Sequence, residues 1–143
     1  MLIKHVHDVN VEDEYITVEK DETIDTIAKK FDESYVYDTK SHDQMHIPVL
    51  SAYVIEKGQP IGIVTKDDII SEVVVKGKDP KKLKAKDIMR EPICFSFNEK
   101  VQDAINVIID KGLLTVGVCD GKKLVNVISV YDAFFLYHEV EDI

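Results

Sequence analysis

Apolar positions recur along the chain with the helical period, and the pattern occurs twice. Ile24, Ile27, Ala28 and Phe31 stand at i, i+3, i+4 and i+7, one face of a helix, and Val101, Ala104, Ile105 and Ile108 repeat the spacing. A short β-branched stretch precedes each helix, at 16–18 and at 93–97, and Asp21 or Asn98 reads as the helix cap. After each helix two apolar runs flank a glycine turn, 52–55 with 61–64 and 116–119 with 124–128, which predicts two hairpins. A last helix is predicted after Thr65 and after Ser129.

The repetition can be read residue by residue. Gly62-Ile-Val-Thr65-Lys-Asp-Asp68-Ile69 matches Asn126-Val-Ile-Ser129-Val-Tyr-Asp132-Ala133 in type at an offset of 64. Upstream the offset is 77, with Ile16-Thr17-Val18 on Ile93-Cys94-Phe95 and Glu22-Thr23-Ile24 on Glu99-Lys100-Val101. The first copy therefore carries 13 extra residues, placed within 32–50 and expected to form an irregular excursion. Neither copy alone covers its apolar helix face well, so the expectation is an α+β fold of two βαββα-like halves with sheets packed together and helices outside. The boundaries follow: 1–75 for the first copy, 76–86 for a connector, 87–143 for the second.

Composition narrows the function. The 143 residues are 45% hydrophobic and 31% charged, ordinary for a globular protein, and carry a formal charge of −9. An acidic chain is a poor match for nucleic acid as main partner, and no apolar run approaches the roughly 20 residues of a membrane span. The start of the chain lacks a secretory apolar core, and two cysteines are too few for a disulfide scaffold, so a cytoplasmic protein is expected. Six lysines crowd residues 76–86, which read as a solvated connector or as a cationic strap near an anion.

The chemistry lies in the duplicated Thr65-x-x-Asp68 and Ser129-x-x-Asp132. Either pair could simply close a helix N-terminus as a capping box. Each also follows an apolar strand directly, where a helix start suits phosphate and a carboxylate one turn in can accept the two hydroxyls of a ribose. That arrangement suits a nucleotide.

The chain resembles a tandem pair of CBS domains, the regulatory adenosyl-nucleotide-binding module often called a Bateman module. Gly62 to Asp68 carries the Gly-apolar-x-Thr/Ser-x-x-Asp signature; the second copy has Asn126 for its glycine but keeps Ser129 and Asp132. Lys86-Asp-Ile-Met89 followed by Pro92 resembles the opening of a repeat, and His7-Asp8-Val9 is its weaker counterpart. The resemblance implies two clefts, one using Thr65 and Asp68 with Ile93, Cys94, Val116 and Gly117, the other Ser129 and Asp132 with Ile16, Thr17, Ala52 and Tyr53. It also implies a disc-shaped homodimer formed by the outer helices, which the apolar run at 133–137 supports. The first cleft is expected to bind better, because Gly117 has no side chain where Tyr53 brings a ring.

Arg90, the sole arginine, is the best candidate for a phosphate, with exposed loop charge as the plainer alternative. His5, His7, Asp8, His42, Asp43 and His46 lack a clear third metal ligand and read as surface residues, so no metal or cofactor is expected. Cys94 and Cys119 read as packing thiols. No nucleophile, P-loop or metalloprotease motif occurs, and no catalysis is expected. Two functions stay open: a sensor of an adenosyl nucleotide (AMP, ADP, ATP or an S-adenosylmethionine-type ligand), or a degenerate pair that only dimerises or docks on a regulated protein. Asn126, Tyr53 and the insertion favour the second.

Overall fold

The computed structural model describes residues 15–37 and 46–134, with side chains from 15–34 and 49–134. They fall into two units, one running to Pro92 and the other starting at Ile93. In the first, β1 (Tyr15–Val18) lies parallel to β4 (Ser51–Glu56), which pairs antiparallel with β5 (Gln59–Thr65). Helix α1 (Ile24–Glu33) is the crossover between the parallel strands, and β5 runs into α2 (Lys66–Ile69), which continues as a π turn over Ile70–Val74; α3 (Ala85–Ile88) follows. In the second unit β6 (Cys94–Ser96), α4 (Val101–Lys111), β7 (Thr115–Asp120) and β8 (Lys123–Ser129) repeat the order, and the chain turns helical again at 130–134. Sheet order β1-β4-β5 matches β6-β7-β8. The fold is α+β, as expected.

The duplication holds to the hydrogen-bond register. Thr17 pairs with Tyr53 and Cys94 with Gly117, the same two positions under the offsets read from sequence. Each hairpin has its irregularity at one place, between Val54 and Ile55 and between Val118 and Cys119. The tight turns differ. Lys57 and Gly58 both take positive φ, 54° and 79°, as a type I′ turn requires, whereas Gly121 alone does so at 62° in the second hairpin.

Each unit has its own core. Ile24, Ile27 and Phe31 of α1 pack with Val18, Ala52, Val54 and Val64; all four expected α4 residues, Val101, Ala104, Ile105 and Ile108, pack with Val116, Val118 and Ile128. Each such side chain taken fully from water contributes about 1.5–3 kcal/mol, which is what holds two short helices on their sheets.

Three expectations need correcting. Asp21 and Asn98 do not cap the helices, which start later. Glu22 and Glu99 close a turn in both copies, accepting from Glu19 N at 3.2 Å and from Ser96 N at 2.9 Å. Thr23 is the N-cap of α1, its hydroxyl accepting from Thr26 N at 3.3 Å, and α4 has no side-chain cap at Lys100. Asp21 instead pairs with Lys86 at 3.1 Å, and that ammonium holds its carboxyl below the usual range.

The lysine-rich stretch is also more than a solvated connector. Its lysines are mostly exposed, but Leu83 and Pro80 carbonyls accept from Ile24 N and Asp25 N at 2.9 and 3.0 Å, and Ala85 N donates to Glu22 O at 2.8 Å. The backbone of 80–85 thus satisfies the first amides of α1, the task usually left to a cap. The excursion at 32–50 is not wholly irregular: β2 (Tyr35–Tyr37) pairs antiparallel with β3 (His46–Pro48), as the β-formers Tyr35, Val36, Tyr37 and Ile47 favour. His5, His7, Asp8, His42, Asp43 and residues 135–137 lie outside the described residues, as does the side chain of His46.

Candidate functional site

The end of β5 delivers Thr65 to the N-cap of α2 in extended conformation. Asp68 Oδ2 accepts from Thr65 N at 2.9 Å and from Thr65 Oγ1 at 3.0 Å, while Asp68 N donates to Thr65 Oγ1 at 3.2 Å. The end of β8 builds the same unit: Asp132 Oδ2 accepts from Ser129 N at 2.9 Å and from Ser129 Oγ at 3.2 Å, and Asp132 N donates to Ser129 Oγ at 3.2 Å. Thr65 and Ser129 are buried, and each spends its hydroxyl proton on the carboxylate. The hydroxyls therefore position the acids; they do not stand ready to donate to a phosphate. What each unit offers is a carboxylate held at the strand–helix junction.

The sequence matches the CBS domain over residues 6–75 and again over 85–139, most of the chain. The chain belongs to the CBS-domain family. An uncharacterized protein of Methanopyrus kandleri is 36% identical over 81 residues, 55% of this chain and 41% of the relative, so the chain spans about two fifths of that relative's length. Among solved structures, a CBS domain protein from Pyrobaculum aerophilum complexed with AMP matches with a TM-score of 0.71 at 19% identity, covering 91% of this chain and 95% of that one. The CBS domain pair of protein MJ0100, in complex with 5′-methylthioadenosine and S-adenosyl-L-methionine, gives a TM-score of 0.73 at 19% identity, covering 96% and 98%. At these identities the likeness is one of fold.

The remaining candidates lie on the strands of each CBS repeat. In the first, Ile16 pairs with Ala52 and Thr17 with Tyr53. Ala52 is core, Thr17 is exposed, and Tyr53 is fully buried with its ring edge-on to Tyr15 at 5.8 Å. An open groove of about 510 Å³ runs beside this strand, lined by Tyr15, Ile16, Thr17, Lys30 and Ser34. In the second repeat Val116 is core, and Gly117 N donates to Ile93 O at 2.8 Å. Gly117 leaves no open space: a Cβ there would meet Cys94 Sγ at 2.9 Å and Leu124 Cδ1 at 3.0 Å. The missing side chain makes room for neighbours of its own sheet. Thr65 and Asp68 belong to a different unit from Ile93, Cys94, Val116 and Gly117.

Cys94 is exposed and Cys119 buried. Although the residue as a whole is exposed, its sulfur packs against Gly117, and partial burial, then the hydrogen bond with Cys119, pushes the Cys94 thiol up to about 12, which favours the protonated form.

Two pieces of the sequence that looked separate prove to be one. Arg90 and Ile63 exchange backbone hydrogen bonds of 2.9 and 3.0 Å, which lays residues 89–90 along β5 and sets Met89 on Gly62. Arg90 is then neither a loose loop charge nor an open phosphate binder. Its Nε donates to Asp68 Oδ1 at 2.9 Å and its Nη2 to Asp68 Oδ2 at 3.1 Å, a forked pair. Sequence reasoning singled out Arg90 and Asp68 individually and missed their contact. The signal was there in part, since the opening motif ends directly before Arg90. Among the described residues no cluster of three or more His, Cys, Asp or Glu could hold a metal ion, and no helix is long and apolar enough to cross a membrane.

Proposed function

We propose that this CBS pair is a regulatory module that binds an adenosyl nucleotide without transforming it. The observation that carries the proposal is the duplicated carboxylate, Asp68 and Asp132, held at equivalent strand–helix junctions by Thr65 and Ser129. A carboxylate so fixed suits the two hydroxyls of a ribose, and the neighbours in complex with AMP and with S-adenosyl-L-methionine support the choice of ligand class. Two separate clefts are proposed, with Ile93, Cys94, Val116 and Gly117 lining the base in one and Ile16, Thr17, Ala52 and Tyr53 in the other. Arg90 is the group for a phosphate.

The module is proposed to act in the cytoplasm as a homodimer that signals to a regulated protein. Ile70, at 52% exposure, and Phe134, at 63%, occupy the same position in the two repeats, and Val74 and Val75 extend the first patch. Light scattering that gives a single monomeric mass at micromolar concentration contradicts the dimer.

A thermal-shift screen against AMP, ADP, ATP, S-adenosylmethionine and divalent metal ions tests the function. A ligand at a hundred times its dissociation constant stabilises by about 2.7 kcal/mol, a shift of several degrees for a domain of this size. No shift with any adenosyl compound overturns the proposal in favour of a docking module, the reading that Asn126 in place of the signature glycine favours.

A further inference from the structure

The carboxylate that the proposed site needs is already occupied. An ionised carboxylate offers about four lone-pair positions. At Asp68, Oδ2 takes Thr65 N, Thr65 Oγ1 and Arg90 Nη2, and Oδ1 takes Arg90 Nε. With Arg90 in place, Oδ1 has room for at most one more donor. A vicinal diol brings two.

The two partners differ in how firmly they are held. The Asp68 side chain is 15% exposed and fixed by the capping box; that of Arg90 is 52% exposed at the end of a flexible stem. The Arg90 backbone is pinned to Ile63 by two hydrogen bonds, so the guanidinium can swing while its root stays at the site. The basic side chain on the same stretch of chain as Asp68, Lys66, stands over the Phe31 ring at 5.8 Å.

We infer that Arg90 is a specificity-determining residue of the Thr65–Asp68 site, closing it to uncharged nucleosides and opening it to adenosyl ligands that carry a phosphate. The inference rests on the proposal that Asp68 receives the ribose. A ribose displaces the fork and regains two acceptor positions on Asp68. The displaced guanidinium then needs an anion of matching shape, and a phosphate on the same ligand supplies it with another forked contact. A nucleoside with an uncharged tail breaks the ion pair and offers Arg90 nothing.

Arg90 is the sole arginine, so protein labelled with ¹⁵N-arginine shows a single Nε–H cross-peak that needs no assignment. In the free protein that cross-peak should be protected from solvent exchange. Saturating AMP should move it and keep it protected; an unmoved cross-peak at saturation overturns the inference, and this arm needs no variant. Calorimetry on the wild type should show AMP binding at least tenfold tighter than adenosine. In Arg90→Gln, AMP should weaken by about tenfold and adenosine should tighten, so that the two agree within about threefold. Equal affinity for AMP and adenosine in the wild type overturns the role of Arg90 and leaves the adenosyl reading standing. No heat with AMP, adenosine, ADP, ATP or S-adenosylmethionine overturns that reading, and the role of Arg90 with it.

Discussion

Replacing Gly62 by alanine adds one methyl group to a buried strand position packed against Met89. The new Cβ would stand 2.7 Å from Met89 Cγ and 2.8 Å from Met89 Cβ, closer than such atoms approach in folded proteins. A flexible side-chain end could retreat, but Met89 Cβ moves only with the backbone, which Arg90 and Ile63 pin with two hydrogen bonds. One methyl of overpacking costs about 1–3 kcal/mol. Removing a strand glycine returns roughly 0.5–1 kcal/mol of chain entropy, leaving a net loss of about 1–2 kcal/mol. Met89→Ala alone should cost about 1–3 kcal/mol, below the range of a fully buried methionine because Met89 is half-buried. In the double variant the added methyl occupies part of the space Met89 leaves, so the combined cost should fall short of the sum by about 1 kcal/mol or more. Urea titrations of the wild type, the two single variants and the double variant measure this coupling. Costs that add to within about 0.5 kcal/mol refute the claim that Gly62 is there to admit Met89.

Thr23→Ala should destabilise the first unit by about 1 kcal/mol, by urea titration, while Asn98→Ala leaves the second unit unchanged within error, because only Thr23 acts as a cap. Ser129→Ala removes a buried hydroxyl that serves Asp132 twice and should cost about 1–3 kcal/mol, read as a lower melting temperature. Cys94 should react with a disulfide reagent at pH 8 more slowly than an ordinary thiol, since its raised pKa leaves a smaller thiolate fraction. The folded value of about 12 lies above the ordinary 9.0, so the neutral thiol is the favoured form in the fold. Its contribution to stability is complete below pH 9 and is lost as pH rises from 9 through 12, and a melting temperature that Cys94→Ser leaves equally pH-dependent in that window contradicts the assignment.

The duplication was legible because period and type survive in both copies: offsets countable in the sequence carry the pair Thr17–Tyr53 onto Cys94–Gly117, though the parallel pairing itself is seen only in the structure. The capping boxes at Thr65 and Ser129 were legible for the same reason, their contacts being three residues apart. What stayed hidden depends on chain segments distant in sequence. Leu83 and Pro80 accept from the first two amides of α1, a contact across about 55–60 residues that helps start the helix at Ile24 with Thr23, not Asp21, as its cap. Arg90 reaches Asp68 across 22 residues, and Met89 reaches Gly62 across a similar span. Gly117 looked like an opening because a missing side chain says nothing about which neighbours fill the space.

Calorimetric titration of AMP into the wild type, Asp68→Ala and Asp132→Ala, each first shown to be folded by its thermal melt, tests the central claim most directly. Each charge-assisted hydrogen bond to a ribose hydroxyl is worth roughly 1.5–3 kcal/mol, and about 1.4 kcal/mol is a decade in affinity. Wild-type protein should therefore bind AMP, and Asp68→Ala should bind it at least tenfold more weakly. AMP binding that neither substitution changes would contradict the account.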